Sequence, residues 1–584
     1  MSRKSLNTLA VPASRWMLVG ALAALAACSA TPQNQEVADV LLTNGKVYTV
    51  ASATPWAQSV AIRDGKIVAV GSDADTARWK GTQTQVVDLA GRLVLPAFGD
   101  AHAHPQFGGI SHSRCPLHEG KTLEDYQKLI AACLAAAPGD GVVYGVGWSD
   151  ALFPPNGVPK KEVLDAVSRT RPLIFESVGG HTLWVNSKAL EAAGITRETP
   201  DPANGHIDRD PKTGEAIGGL QEAAMALAEK LVPQPTPEER QKAILYTLEL
   251  FNSLGITSWH DAGIEFGKDG ASETLDAYRA VRQAGKLSSH VAVAIRWAND
   301  QGMEQIPDLV QASERAEQIG LVSHSVKFYV DGVIPQKTAY MLAPYENSGS
   351  ERGKPHLSAE RLTEALVALD AKGFQAHAHA IGDGGVRLAL DAMAAARQAN
   401  GRDGGRHMIS HLNVVDPADQ PRFGALGVAA QFQPLWASHY PYMDLTREVI
   451  GPVRSGYIYP AASILKAGGR LAYGADWPVD SADPLKGLQV AVTRTTADDP
   501  SGGPLLPNEA VTLEQAVRAH TLDVAYVNRM DDKLGSVEAG KLADLVVLDK
   551  NIFEVPKDQI GKAKVLLTLF EGRPVHGDLA QFNR

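Results

Sequence analysis

Two histidines follow an apolar run and an aspartate near the start of the chain. In LPAFGDAHAHP, residues 95–105, they are His102 and His104, and Asp100 precedes them. Alternate residues of an extended strand point to the same face, so both imidazoles face one side. Imidazole nitrogens bind Zn²⁺ and similar divalent ions. The pair therefore predicts part of a metal site, provided that further ligands converge on it.

Similar polar residues end several later apolar runs. His379 follows in QAHAHAIGD, His411 ends HMISH, and Asp476 ends LAYGAD. Taken singly, each histidine is more often a satisfied core residue than a ligand. Their positions at the ends of separate strands favour a shared metal site instead. His377 shares a face with His379, but His379 lies nearer the end of its strand, so we assign His379 as the ligand and His377 as a supporting or interior residue.

Lys327 lies within another such run, HSVKFYVDG. Val326, Phe328 and Val330 alternate with it, so the lysine points inward if the apolar set packs on surrounding helices. A bare ammonium group is costly to remove from water. Three roles fit the position: an ion pair with a carboxylate such as Asp331, a Schiff base with substrate, or a carbamate formed with CO₂. A carbamate would be an anionic oxygen ligand able to bridge two metal ions.

The elements that position these residues are repeated pairs of one strand and one helix. Residues 236–239, Thr-Pro-Glu-Glu, predict a capped helix start before ERQKAILYTLELFNSLG and the strand ITSWHDA. Eight strands of this kind favour a (β/α)₈ barrel over an open doubly wound sheet, and no glycine-rich phosphate-binding motif follows any of them. Active residues of such barrels lie at the carboxyl ends of the strands. The eight segments are RLVLPAFGDAH, ITSWHDA, VAVAIRW, SVKFYVDG, FQAHAH, HMISH, GVAAQF and LAYGAD.

Both ends of the chain have β-type patterns. DVLLTNGKVYTV predicts a strand pair turning at Asn44-Gly45, and SVAIRDGKIVAVG predicts a hairpin at Asp64-Gly65. The apolar runs of residues 540–577 have the same character. We therefore predict a composite β-sandwich domain of residues 38–92 and 530–584 beside a barrel domain of residues 93–529. Extra strands such as VVYGVGW and PLIFESVGG indicate an insertion at about 105–250 over the barrel mouth.

The first residues resemble an export signal. Three basic residues precede the apolar run WMLVGALAALAA, which is shorter than the roughly 20 residues needed to cross a bilayer. The run ends in Leu-Ala-Ala-Cys28, which resembles the lipobox of bacterial lipoproteins; an ordinary cleavage site with an incidental cysteine is the alternative. We predict a signal peptide over 1–28, lipidation of Cys28 and a polar tether over 29–37. The protein is then lipid-anchored in the cell envelope, and Ser29 favours the outer membrane, facing the periplasm.

Composition and charge narrow the class of partner. Hydrophobic residues make up 44% and charged residues 21% of the 584 residues, which is typical of a globular protein and excludes disorder and multiple membrane spans. The net charge of −10 gives no general attraction to nucleic acid, so a small molecule is the expected partner. Only Cys115 and Cys133 follow Cys28. They could pair in an oxidising compartment, but two cysteines make no disulfide framework.

Several of these motifs together resemble a known family. The stretch from Asp100 to His104 is similar to the first-strand motif of the amidohydrolase superfamily. HAIGDGGV, GADWPV, LGSVEAGKLADLVVLD and GGHTLWVNSKAL are similar to its amidohydrolase 3 branch, which includes proteins like N-substituted formamide deformylase and YtcJ. The resemblance runs from about residue 38 to 577. The family pattern more often has Glu-His where this chain has Ser410-His411.

The resemblance implies a barrel with two bound metal ions, expected to be Zn²⁺. It implies His102, His104, Lys327 and Asp476 at one ion, and carbamylated Lys327, His379 and His411 at the other. The implied reaction is hydrolysis of a C–N amide-type bond in a small molecule: an N-acyl or N-formyl amine or amino acid, or a cyclic amide. A bridging hydroxide would attack, with Asp476 as general base. His181 and Trp184 in the insertion are candidates to bind substrate; plain packing is the alternative for each.

Two other functions compete with amide hydrolysis. A deaminase or a lactone or ester hydrolase with one metal ion could use the same scaffold with Lys327 unmodified. A surface lipoprotein that binds metal or solute without turnover is the non-enzymatic alternative. Binding alone does not require Asp476 beside an open metal position, so the sequence favours an enzyme.

Overall fold

The computed structural model describes residues 37–154, 157–401 and 405–583. The expected signal peptide, Cys28 and nearly all of the tether lie outside these residues and stay predictions. Within the described ranges, none of the helices is both long and apolar enough to cross a membrane.

Eight parallel strands form one sheet in chain order, which confirms the predicted (β/α)₈ barrel. Two backbone hydrogen bonds close it: the N–H of Asp476 donates to the carbonyl of His102 (2.7 Å), and the N–H of His104 donates to that of Trp477 (2.8 Å). The barrel therefore closes at three of the predicted ligands. The strands, β1 to β8, are Phe98–Ala103, Ile256–Ile264, His290–Arg296, Val322–Tyr329, Gln375–Ala380, Met408–His411, Ala429–Phe432 and Arg470–Tyr473.

Helices surround these strands. The one before β2 begins at the predicted cap: Thr236 Oγ1 accepts the N–H of Glu239 (3.2 Å), and Glu239 Oε2 accepts the N–H of Thr236 (2.7 Å). The helices of the barrel domain are Pro105–Ser113, Pro237–Ser253, Glu273–Gln283, Ile306–Gln318, Ala359–Ala371, Asp383–Asn400, Gln420–Leu426, Pro441–Arg454, Ala461–Lys466, Pro484–Thr493, Leu513–Ala519 and Leu522–Val527.

The alternation along β4 places Lys327 inside the barrel. Val326 and Phe328 are buried in the apolar core between strands and helices, and Phe328 stacks on Trp297 with ring centroids 5.5 Å apart. Lys327 points to the other side of the strand, and its Nζ lies 3.2 Å from His102 Nε2. It is 1% exposed, so its amine is held away from bulk water.

Two small sheets from both chain ends form the predicted composite β-sandwich. Their facing residues share one apolar core, in which Leu42 and Val60 of the first sheet pack with Val47 and Leu545 of the second. In spatial order, the first sheet contains Lys66–Gly71, Ser59–Arg63, Val40–Thr43 and Gln85–Asp88. The second contains Arg573–His576, Val565–Phe570, Leu545–Leu548, Leu93–Pro96, Lys46–Tyr48 and Trp56–Ala57.

Two strand predictions in this region are wrong. The segments joined by Asn44-Gly45 form strands but do not pair, because the chain crosses there from one sheet of the sandwich to the other. The run of residues 92–102 is two strands, of which the first belongs to the sandwich and the second is β1. At the break, the N–H of Ala97 donates to the carbonyl of Asp544 (2.9 Å). The two halves of the run belong to different sheets, which an unbroken apolar pattern does not reveal.

The chain between β1 and β2 forms a further sheet, which lies outside the barrel sheet. We call residues 115–229 the insertion. Cys115 and Cys133 form a disulfide that joins its edge strand to its first helix. In spatial order, its strands are Gly205–Arg209, Ala216–Glu222, Thr182–Val185, Leu173–Ser177, Val143–Trp148 and Cys115–Pro116. Its helices are Leu123–Ala136, Lys161–Asp165, Ser187–Ala193 and Ala226–Glu229.

Candidate metal centre

The carboxyl end of β1 and the segment after β8 bring three predicted ligands together. One ligand atom from each of His102, His104 and Asp476 lies within 4.8 Å of the other two. Asp476 Oδ1 is 3.4 Å from His102 Nε2 and 3.2 Å from His104 Nε2. The same residues form the backbone hydrogen bonds that close the barrel, so barrel closure itself sets the spacing of these side chains.

The chemistry of this group fits a divalent metal ion. Asp476 Oδ1 is buried and accepts no hydrogen bond from any described residue, although two imidazole nitrogens face it. Leaving a buried carboxylate oxygen unsatisfied is costly. Imidazole nitrogen and carboxylate oxygen are the donors that Zn²⁺ takes in catalytic sites. A bound cation would satisfy the oxygen and both nitrogens together.

Lys327 of β4 reaches the same point. Its Nζ lies 3.2 Å from His102 Nε2 and 5.1 Å from the centroid of the Tyr329 ring. Burial lowers the pKa of Lys327 to about 7, and the charge of Asp476 opposes part of this lowering. A substantial share of the amine is therefore neutral near pH 7 and has a free electron pair.

His379 of β5 and His411 of β6 form a second pair beside the first group. Their ring centroids are 4.5 Å apart. His411 Nδ1 lies 3.2 Å from Gln433 Oε1 and 3.7 Å from Asp476 Oδ2, which connects the pair to the first group. Burial lowers the pKa of both histidines well below its usual value. Both are therefore neutral, which is the form that binds metal ions.

The backbone is strained at two of these positions. His411 has φ 79° and Asp476 has φ 58°, values in the left-handed region that non-glycine residues rarely adopt. Such a conformation costs roughly 1–2 kcal/mol per residue. It persists where the surrounding structure holds the residue in place, and functional sites are where it concentrates.

His102 has two polar neighbours behind it. Its Nδ1 lies 3.0 Å from His377 Nε2 and 3.1 Å from Ser410 Oγ. When Nε2 is the ligand atom, Nδ1 carries the proton and can donate it to one of these acceptors. His377 thus lies behind His102. Ser410 also contacts His102 and not its chain neighbour His411. It occupies the position where the family more often has glutamate.

Asp331 is a site residue whose place the sequence did not predict. The sequence offers it as an ion-pair partner for Lys327, but the structure places its Oδ1 3.6 Å from His379 Nδ1. The carboxylate accepts the backbone N–H groups of Ile381 (2.9 Å), Gly382 (3.0 Å) and Tyr340 (2.9 Å). These three bonds fix the loop after β4 against the end of β5. The only sequence signal was an aspartate just past the end of an apolar strand.

Asp100 has a related role at the other side of the site. Its carboxylate accepts the N–H of His102 (2.8 Å) and the N–H of Ala475 (3.0 Å). It therefore joins β1 to the segment that carries Asp476. Burial raises the pKa of Asp100 to about 7, while the two backbone hydrogen bonds oppose that rise. Its place at the start of the DAHAH motif was visible, but its bond across the barrel was not.

His181 lies next to the predicted ligands. Its ring centroid is 5.4 Å from that of His379, and its Nδ1 is 3.0 Å from Glu222 Oε2. Glu222 Oε1 also accepts the hydroxyl of Thr338 (2.7 Å). Burial alone would lower the pKa of His181, but the Glu222 carboxylate outweighs it and raises that pKa. Burial alone would raise the pKa of Glu222, but His181 outweighs it and the pKa falls to about 2.

Trp184 is not brought to the site. Its ring packs between Phe153 and Trp148 in the core of the insertion, with centroids 5.0 and 5.9 Å away, and is fully buried. Its indole N–H donates to the carbonyl of Lys160 (2.9 Å). The expectation that Trp184 binds substrate is corrected to a packing role. The alternation of side chains along its strand points the Trp184 ring towards the helix Leu123–Ala136. The isolated motif does not specify this direction.

Comparison with known proteins agrees with this geometry. The model of the amidohydrolase family matches residues 85–576. Protein LONG AFTER FAR-RED 3 of Arabidopsis thaliana is 30% identical over 562 residues, which cover 94% of this chain and 93% of that protein. N-substituted formamide deformylase of Arthrobacter pascens is 25% identical over 92% of this chain and 98% of its own. An uncharacterized metal-dependent hydrolase from Pyrococcus horikoshii OT3 has the same fold, with a TM-score of 0.67 at 23% identity, over 89% of this chain and 99% of its own.

Proposed function

The chain belongs to the amidohydrolase family, and from this we propose that it hydrolyses a C–N amide-type bond in a small molecule. It is a metal-dependent hydrolase with a candidate metal site. The observation that carries the proposal is the convergence of His102, His104 and Asp476 around an unsatisfied carboxylate oxygen. The similarity to N-substituted formamide deformylase supports an amide as the bond that is cleaved.

Two groups of residues would hold the metal ions. His102, His104 and Asp476 would bind one ion, His379 and His411 the other, and modified Lys327 would bridge them. Bound there, two divalent ions, expected to be Zn²⁺, would supply a polarised substrate carbonyl and a water acidic enough to attack it at neutral pH. The buried, neutral histidines support this assignment, because a protonated imidazole cannot bind a metal ion.

Lys327 would act as a carbamate. Its Nζ electron pair attacks the carbon of CO₂, one N–H proton leaves to solvent, and a carboxylate attached to Nζ results. Burial and the lowered pKa favour the neutral amine that this reaction requires. The product replaces the buried amine by a carbamate, whose single negative charge is shared by two oxygens that would face the histidines. Those oxygens also reduce the repulsion between two cations at close range.

Asp476 would move the proton. Its carboxylate takes a proton from the attacking water and transfers it to the leaving nitrogen, so the amine departs neutral and no strong base is released. The position of Oδ1, between two histidines and without a hydrogen bond from the described residues, supports this role. His181, held by Glu222 and packed on His379, would bind the substrate at the edge of the ligand group.

A substrate screen tests the proposal. Protein of measured metal content is incubated with N-acyl amino acids, N-formyl amines and cyclic amides, and free amine or carboxylate is quantified. The proposal predicts turnover of at least one class that is lost after chelation and returns with metal. Turnover of lactones or exocyclic amino groups alone, with about one metal per chain, would instead support the competing single-metal functions.

We also propose that the mature protein is anchored through a lipid on Cys28. The basic residues, the short apolar run and the cysteine after Leu-Ala-Ala support this, as does the polar tether that follows. Full-length protein is then expected in the membrane fraction, and Cys28→Ala is expected to release or mislocalise it. Fractionation of cells that express each form tests this, and full-length protein found soluble in the periplasm would contradict it.

A further inference from the structure

A cavity of about 810 Å³ lies between the insertion and the segment that follows β4. Residues 201–206 line one side, and residues 350–356 line the other. Glu222 forms part of the wall. Glu222 holds His181, and His181 packs on His379, so this pair of side chains connects the cavity wall to the predicted ligands. Its volume is in the range of small-molecule binding sites.

The acidic groups that line this cavity all have cationic or imidazole partners. Asp201 Oδ2 lies 2.9 Å from His206 Nδ1. Glu222 bonds to His181, which lies just outside the lining. Glu351 Oε2 lies 3.9 Å from Lys337 Nζ. Each carboxylate of the lining therefore already has a basic partner.

Two cations of the lining are not balanced in this way. Arg352 and Lys354 both face the cavity, and neither forms an ion pair with a residue in the described part of the chain. The guanidinium of Arg352 lies over the ring of Tyr340, 5.6 Å from its centroid. Stacking on an aromatic face holds the guanidinium in a defined orientation and leaves its edge free to bind an anion.

The backbone that carries these cations is fixed close to the site. The N–H of Met341 donates to the carbonyl of Arg352 (2.8 Å), and the N–H of Tyr340 donates to Asp331 beside His379 (2.9 Å). Gly353, between the two cations, has φ 68°, and a Cβ there would meet the carbonyl oxygen of Ala339 at 2.0 Å. Only glycine allows this close approach, so the segment is held at a set distance from the ligand group.

We propose that the substrate is an amide that carries an oxyanion away from the scissile bond, and that Arg352 and Lys354 bind it. This rests on the proposed function and narrows it to anionic amides. Arginine binds two oxygens of a carboxylate or phosphate through its planar edge, and lysine adds a point charge. The paired carboxylates of the wall leave the cations free for this purpose. A carboxylate is the simplest source of the oxyanion.

The test compares substrate pairs that differ only in this charge. Metal-loaded full-length protein is assayed on N-formyl and N-acetyl amino acids and on the same compounds as primary carboxamides. The wild type should have a kcat/KM about tenfold or more higher for the carboxylates, as expected for a charge-assisted contact. A variant with Arg352→Ala and Lys354→Ala should lose this preference and keep its rate on carboxamides, which also shows that it folds.

A control variant removes the same charges elsewhere. Lys286→Ala with Arg573→Ala changes one exposed lysine and one exposed arginine outside the cavity lining and should keep the preference. Acetate and inorganic phosphate, added as competitors, should raise KM for the carboxylate substrates only, and their relative strengths identify the favoured oxyanion. Equal rates on both members of each pair, or a preference that survives in the cavity variant, would overturn the proposal. Failure to hydrolyse any amide would instead refute the proposed function.

Discussion

His102 and Asp476 are joined twice, once through the backbone and once through the side chains. The N–H of Asp476 donates to the carbonyl of His102 (2.7 Å), and Asp476 Oδ1 lies 3.4 Å from His102 Nε2. The first contact closes the barrel, and the second belongs to the candidate metal site. A change that opened the barrel at this point would therefore also separate the ligands.

Asp476→Asn separates proton transfer from metal binding. The amide keeps an oxygen for the metal and leaves the backbone bond to His102 intact, but it cannot accept a proton at neutral pH. We expect most of the metal to remain and kcat to fall by roughly 10²–10⁴-fold, the usual contribution of a general base. Metal analysis and steady-state kinetics on the same sample measure both. Wild-type kcat at full metal content would exclude Asp476 from proton transfer.

His377→Phe tests the support of His102. An aromatic ring is kept, although phenyl is larger than imidazole, and the acceptor 3.0 Å from His102 Nδ1 is lost. Loss of such a partner weakens metal binding by about 10–100-fold. We expect a higher metal Kd with a kcat close to the wild-type value at saturating metal. Ser410→Ala, which removes the other acceptor, is the matched comparison. If it weakens metal binding more than His377→Phe does, Ser410 holds the ring and His377 does not.

The variant Glu176→Gln is expected to be more stable than wild type, by an amount that increases with pH. Burial raises the pKa of Glu176 to about 7, and its hydrogen bond from Tyr144 opposes part of this rise. The folded protein therefore holds this proton more tightly than the unfolded chain does. The protonated carboxyl makes its full contribution to the free energy of unfolding below about pH 4.5, and this contribution is lost as the pH rises to about 7.

Glutamine stays neutral and still accepts the hydroxyl of Tyr144. The free energy of unfolding of the variant, relative to wild type, should therefore rise by about 3 kcal/mol between these pH values. Denaturant titrations at pH 4.5, 6 and 8 measure this difference. Glu162→Gln, at an exposed glutamate of the same insertion, is the control and should show no such trend. A difference that does not depend on pH would refute the assignment.

Much of the fold follows from local patterns. The capping box at Thr236, the alternation around Lys327 and the polar residues at strand ends each depend on neighbouring residues, and each is found where it was predicted. Barrel topology then brings distant strand ends together, so the sequence indicated the grouping of His102, His104 and Asp476.

Other features depend on packing that no local pattern records. The strands on either side of Asn44 look like a hairpin, but each is completed by a partner far away in the chain. Trp184 looked like a pocket residue, but an aromatic core of the insertion encloses it. Asp331 looked like a partner of Lys327, but three backbone N–H groups hold it beside His379.

Metal content and turnover of wild type and Lys327→Ala test the carbamate-bridged metal centre most directly. The wild type is expected to bind about two metal ions per chain. Lys327→Ala should lose at least one ion and nearly all turnover, because it lacks the anionic bridge between the cations. Formate or acetate should restore part of both by occupying the vacated space, and Lys327→Arg should not restore them, because its guanidinium stays protonated. If Lys327→Ala keeps two metal ions and normal turnover without added carboxylate, the carbamate-bridged centre is wrong.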